Sequence, residues 1–169
     1  SATDIFSRLV NVNSRDDVQR WVQEKNTTFV FALPETTPFI QFFIESLSGV
    51  RMLYLHREKE AVAELIAEKA WYGNEQLQNP VNNQPYRQFD HAGVTYYMPW
   101  WLQEGHFEDF VLADDYRRGQ YYWDYFDTEG KRQLALLTRP QSEQVMNLQF
   151  DEMEYDNDKL RSRINDFCQ

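Results

Sequence analysis

Residues 119–131 read GQYYWDYFDTEGK. Five aromatic rings fall between Tyr121 and Phe126, with Asp124 among them. The reading of this stretch decides the second half of the chain. As a strand it places Tyr121, Trp123 and Tyr125 on one face and Tyr122, Asp124 and Phe126 on the other, because side chains alternate along a strand. Gly130, within DTEGK, then suits the turn of a hairpin whose return strand is RQLALLT (132–138). One set of rings enters a core, and the set containing Asp124 faces solvent or a second layer.

Working back from that stretch, YYMPWW (96–101) crowds Tyr96, Tyr97, Trp100 and Trp101 around Pro99. Just before it, YRQFD and VTYYM flank HAG, a first hairpin around Gly93. The stretch 100–119 mixes helix and loop character. Residues 73–88, GNEQLQNPVNNQPYRQ, are polar and carry Pro80 and Pro85, which predicts a surface loop.

The front half is patterned differently. Thr3 caps a short helix through Val10, and Ser14 caps a second one ending near Lys25. TTFVFAL (27–33) reads as a buried strand closed by Pro34. Thr37-Pro38 starts a helix and Gly49 stops it. VRMLYLH (50–56) is the next strand, and 58–72 is amphipathic, with Val62, Leu65 and Ile66 on one side. Strand, helix, strand, helix over 27–72 predicts a βαβα unit with parallel strands. Farther on, VMNLQFDEM suits strand or helix, and DNDKLRSRINDF ends the chain as a short helix. The expected class is mixed α/β: N-terminal helices, the βαβα unit, antiparallel hairpins and a C-terminal helix. Its length of 169 residues suits one domain, residues 1–169.

Charge narrows the function. The chain carries 27 acids against 17 bases, a net of −10. Such a surface repels nucleic acid and anionic membranes, so direct nucleic-acid binding is not expected. No apolar run is long enough to span a bilayer. Cys168 is the single cysteine, which fits a reducing compartment, and the expected location is cytoplasmic. A chain beginning at Ser1 without methionine leaves room for a removed export signal.

Motifs of chemistry are missing. No two of the six glycines lie within ten residues of one another, so there is no phosphate-cradling loop and no cofactor is implied. No G-x-S-x-G elbow occurs. His91 and His106 with Glu108 and Asp109 match no specific metal spacing. The balance leans away from an enzyme.

Acidity is local. Between Glu104 and Glu129 eight acids face two arginines, a net of −6; the first 56 residues hold six acids and five bases, a net of −1. Carboxylates interleaved with Tyr and Trp suit a basic protein partner, the rings giving rigid contact area and the acids steering. The residues singled out for that role are Trp100, Trp101, Glu104, Glu108, Asp109, Asp114, Asp115, Tyr122 and Asp124. In general character the chain resembles small bacterial toxin inhibitors, the immunity proteins and antitoxins, many of which block basic nucleases. That resemblance implies a protein-binding inhibitor of a toxin or nuclease. Two alternatives stand beside it. One is a small-molecule protein or enzyme with an anion pocket at the strand C-termini, near Glu35, Thr36 and Thr37 with His56 and Arg57 close by. The other is a sugar-binding domain using Trp100, Trp101 and Trp123.

Overall fold

The computed structural model describes residues 34–47, 49–80, 86–150 and 157–168, together with Asp16 and Arg20, which are helical. The helices expected at 3–10 and 14–25 and the strand expected at 27–33 lie otherwise outside the described residues. A 3-10 turn over Pro34–Phe39, containing Pro38, leads into α1 (Ile40–Ser46). Gly49 follows in the left-handed region at φ 71°, as a chain-reversing glycine does. Then come β1 (Met52–His56), α2 (Lys59–Glu68) and α3 (Asn74–Gln78). The hairpin β2 (Tyr86–His91) and β3 (Val94–Pro99) is followed by a 3-10 turn over Glu104–His106, α4 (Phe107–Leu112) and α5 (Asp115–Ala135). The last elements are α6 (Arg139–Ser142), β4 (Val145–Gln149) and α7 (Asn157–Cys168).

The class is mixed α/β, with one parallel and one antiparallel strand pair. β1 pairs in parallel with β4, Met52 opposite Val145 through His56 opposite Gln149. Among the described residues β4 is thus the parallel neighbour of β1; the 27–33 segment that the sequence suggested for that role lies outside them. The first hairpin is as read: β2 and β3 are antiparallel, and Ala92 (φ 51°) and Gly93 (φ 78°) both take the left-handed conformation of a tight two-residue turn.

The second hairpin is replaced by a helix. Residues 119–131 lie in the middle of α5, 21 residues long. Its buried positions include Gly119, Tyr122, Phe126, Gly130 and Gln133, spaced 3, 4, 4 and 3 apart, one face of a 3.6-residue period. Asp114 caps the helix, its carboxylate accepting the Arg117 amide at 2.7 Å. The two glycines are contact points rather than turns. A Cβ on Gly119 would lie 2.8 Å from the Cα of Ala63 in α2, so the two helix backbones touch. A Cβ on Gly130 would strike the Tyr54 ring of β1, 2.7 Å from Cζ. Lys59 meets Asp124 and Ala63 meets Gly119, so α2 runs antiparallel to α5.

The 73–88 region is also more structured than a loop. α3 occupies its start and buries Leu77 in the core, while Tyr86–Gln88 belong to β2; residues 81–85 lie outside the described part. A polar composition hid an apolar anchor, Leu77. The main core joins Ile66, Leu77, Met98, Trp101, Phe107, Phe110, Tyr122 and Phe126, and rings dominate it. Among the described residues no helix is long and apolar enough to cross a membrane.

Candidate functional site

The aromatic residues of the expected surface have gone inside. Trp101 and Tyr122 are 4% and 6% exposed and meet edge to face at 5.7 Å. Trp100 is half-buried, edge-on to Tyr125 at 5.9 Å. The reason is the helix: Tyr122 and Phe126 stand one turn apart on the inner face of α5, and the tryptophans fold over them from the end of β3. These rings therefore supply packing, not contact area for a partner.

The carboxylates divide. Glu104 and Glu108 are well exposed; Glu104 sits 3.5 Å from Arg87, and Glu108 lies 3.9 Å from Nδ1 of His91. On α4, Phe107, Phe110 and Val111 are buried, while Glu108, Asp109 and Leu112 face solvent. Asp114 is exposed at the cap of α5, and Asp115 pairs with Arg118 at 3.0 Å. Asp124 stands apart. It is six residues beyond Arg118, about 9 Å along the helix, and binds Lys59 at 2.6 Å. The structure thus brings Glu104, Glu108, Asp109, Asp114 and Asp115 onto α4 and its two flanks, and leaves Asp124 on the α2 side.

What fixes this end of the molecule is Arg118, a residue the sequence did not single out. Its side chain is 3% exposed. Nε donates to the Phe110 carbonyl at 2.9 Å; Nη1 donates to the Tyr72 carbonyl and Asp115 Oδ1; Nη2 donates to Asn74 Oδ1 and the Val111 carbonyl at 2.7 Å. All five N–H groups are used, which a planar guanidinium can do and an ammonium cannot. Burial lowers its pKa from the ordinary arginine value, and the Asp115 carboxylate opposes that shift. Four segments are stapled at one point: the α2–α3 turn, α3, α4 and α5. The signal in the sequence was the register, since Arg118 adjoins Gly119 on the inner face.

Two exposed apolar residues were also missed. Leu112 is 68% exposed and Trp71 is 50% exposed. Trp71 follows Ala70, which takes a left-handed φ of 48°. There α2 ends with the Trp71 amide bonded to the Ile66 carbonyl and the Ala70 amide to that of Ala67, the reversal usually built on glycine.

A second polar group lies at the carboxyl ends of the parallel strands. His56 Nε2 is 3.2 Å from Asp127 Oδ1, and its Nδ1 is 3.1 Å from Gln149 Oε1. Lys131 binds the other Asp127 oxygen at 2.7 Å. Both ring nitrogens are thus engaged within the fold. Glu35, Thr36 and Thr37 lie in the 3-10 turn ahead of α1. The Gln41 amide in the first turn of α1 donates to Gln133 Oε1 at 3.1 Å, a place an incoming anion would have to take. Trp123 is half-buried, and its indole N–H donates to the Arg57 carbonyl. With Trp101 in the core, no flat platform of the three tryptophans is presented to a sugar. Among the described residues no cluster of three or more His, Cys, Asp and Glu side chains is placed to hold a metal ion. No protein-family model, curated protein or solved structure matches the chain.

Proposed function

We propose that this chain is a protein-binding module whose acidic face occludes a basic partner, as an immunity protein or antitoxin-like inhibitor does to a toxin or nuclease. One observation carries the reading: Glu104, Glu108, Asp109 and Asp114 all stay exposed on the short α4 segment and its flanks, where residues 104–115 hold five acids and no Lys or Arg. Fixed carboxylates steer a cationic partner and form charge-assisted bonds to its Lys and Arg side chains. The face rests on α4 and α5, which Arg118 holds together, so little ordering is needed on binding.

The test is capture of partners from the source organism on immobilised protein, at about 25 mM and about 300 mM salt, where screening differs severalfold. The expected result is a basic protein retained at low salt, with its catalytic activity suppressed. Neutralising Glu108, Asp109 and Asp114 together to Gln or Asn should slow association about tenfold or more. Equal capture by wild type and the triple variant, or retention of no basic protein, would remove the reading.

A further inference from the structure

The five hydrogen-bond partners of Arg118 belong to Tyr72, Asn74, Phe110, Val111 and Asp115. Each has a chain neighbour that is exposed: Trp71, Glu75, Asp109, Leu112 and Asp114, in that order. A neighbour lies one Cα step away, about 3.8 Å. The backbone positions of two exposed apolar residues and three exposed acids therefore each lie one residue from a partner of one buried guanidinium. Of the nearby cations, Lys69 pairs with Glu68 at 2.9 Å, while Arg117 donates to Gln120, lies 5.1 Å from the Tyr121 ring and stays exposed. The chain also accepts a left-handed alanine immediately before Trp71. Such strain persists where the surroundings demand that presentation.

We infer that Trp71 and Leu112 anchor the interface, and that their occupant is an arginine-bearing amphipathic segment of a basic protein. Its apolar side chains cover Leu112, a guanidinium stacks on the Trp71 ring, and neighbouring basic groups pair with Glu75, Asp109 and Asp114. Charge complementarity selects this occupant: an apolar centre rimmed by carboxylates favours cations that also carry stacking surface, which arginine does and lysine does less well. The inference rests on the acidic-face reading and adds where the partner is gripped.

The probe is a synthetic 15-residue helical peptide of Arg, Leu and Ala, with a second peptide carrying neutral citrulline in place of arginine. The full chain, labelled with ¹⁵N, is titrated at low salt while the indole N–H signals of its tryptophans are followed, Trp71 being assigned from Trp71→Phe. The expected result is a saturable shift of the Trp71 indole with the arginine peptide alone, and affinity about tenfold weaker in Trp71→Ala and in Leu112→Asp. Leu112 is so exposed that its replacement leaves the fold intact, which keeps the test valid if Trp71→Ala misfolds. Binding that moves Glu104–Asp115 backbone signals but not Trp71, and that both variants retain, overturns the anchor and leaves the acidic face standing. Absence of any binding at low salt overturns the anchor and the acidic-face reading together.

Discussion

At its N-terminal end α5 meets its neighbours through backbone: Gly119 on the Ala63 backbone, and Arg118 on three main-chain carbonyls. At its C-terminal end the contacts run mainly through side chains, with the Gln41 main-chain amide on Gln133 Oε1 the exception. Tyr54 lies over Gly130, His56 meets Asp127, and Glu129 holds Arg132. Main chain cannot move without moving a helix, whereas a side chain can turn. The same helix is thus clamped at one end and cushioned at the other, and the proposed docking face lies at the clamped end.

The sharpest way to break this contrast is Arg118→Met. It keeps the bulk but strands the carbonyls of Tyr72, Phe110 and Val111 and the Asp115 carboxylate. A loss of about 3–5 kcal/mol in urea unfolding is expected, with Arg118→Lys recovering part of it. A loss below about 1 kcal/mol, no more than an ordinary single hydrogen bond, would mean the clamp is not one.

Next comes a matched pair. Gly119→Ala should cost about 2–3 kcal/mol, because the added methyl meets backbone. Gly130→Ala should cost no more than about 1 kcal/mol, since the Tyr54 ring can swing aside and alanine favours helix by about 1 kcal/mol. Equal losses would erase the difference between the two ends.

Ala70→Gly acts at the clamped end in the opposite direction. It relieves a left-handed alanine and should stabilise the protein by about 0.5–1 kcal/mol, seen as a higher urea midpoint. If Trp71 is the anchor, the relaxed turn should also weaken peptide binding slightly.

The smallest effect at neutral pH belongs to the cushioned end. Burial, and then the charge of Glu129, push the Tyr125 phenol up to about 12. The folded state therefore holds this proton more tightly than the unfolded chain does. The stability from it is present below the unfolded value near 10 and is lost as pH rises through about 12. Burial raises Tyr54 and Tyr86 as well, so phenolate absorbance should show a late-titrating set of tyrosines that Tyr125→Phe reduces, and that variant should flatten the alkaline fall in stability between those limits.

Much of the fold was legible. The amphipathic pattern gave α2, alternation around a turn glycine gave the β2–β3 hairpin, and DNDKLRSRINDF read as the C-terminal helix that α7 is. The centre of the chain was misread for a definite reason. Five rings in succession imitate a strand, and glycine normally marks a turn. Yet Gly119, Tyr122, Phe126, Gly130 and Gln133 already kept helical spacing, and Asp114 already stood at a cap position. Glycine inside a helix can be a place where another chain approaches, and composition does not separate the two uses. The acids of the candidate face were legible because charge is almost always outside. The rings were not, since a ring suits core and surface alike, and burial depends on which partner arrives. Trp71 and Leu112 escaped notice because each adjoins a residue that Arg118 bonds in another segment, the α2–α3 turn and α4.

The pairing of β1 with β4 joins residues 93 positions apart, as at His56 and Gln149. As the chain leaves the ribosome, β1 is made early and must wait for its mate while the hairpin and the long helix emerge. Through that interval its hydrogen-bonding edge and the outward leucines Leu53 and Leu55 have no β4 beside them. Closing so long a span is slow, and a chain cut before residue 145 never completes it. Nascent or truncated forms should therefore depend on a chaperone far more than the finished protein does.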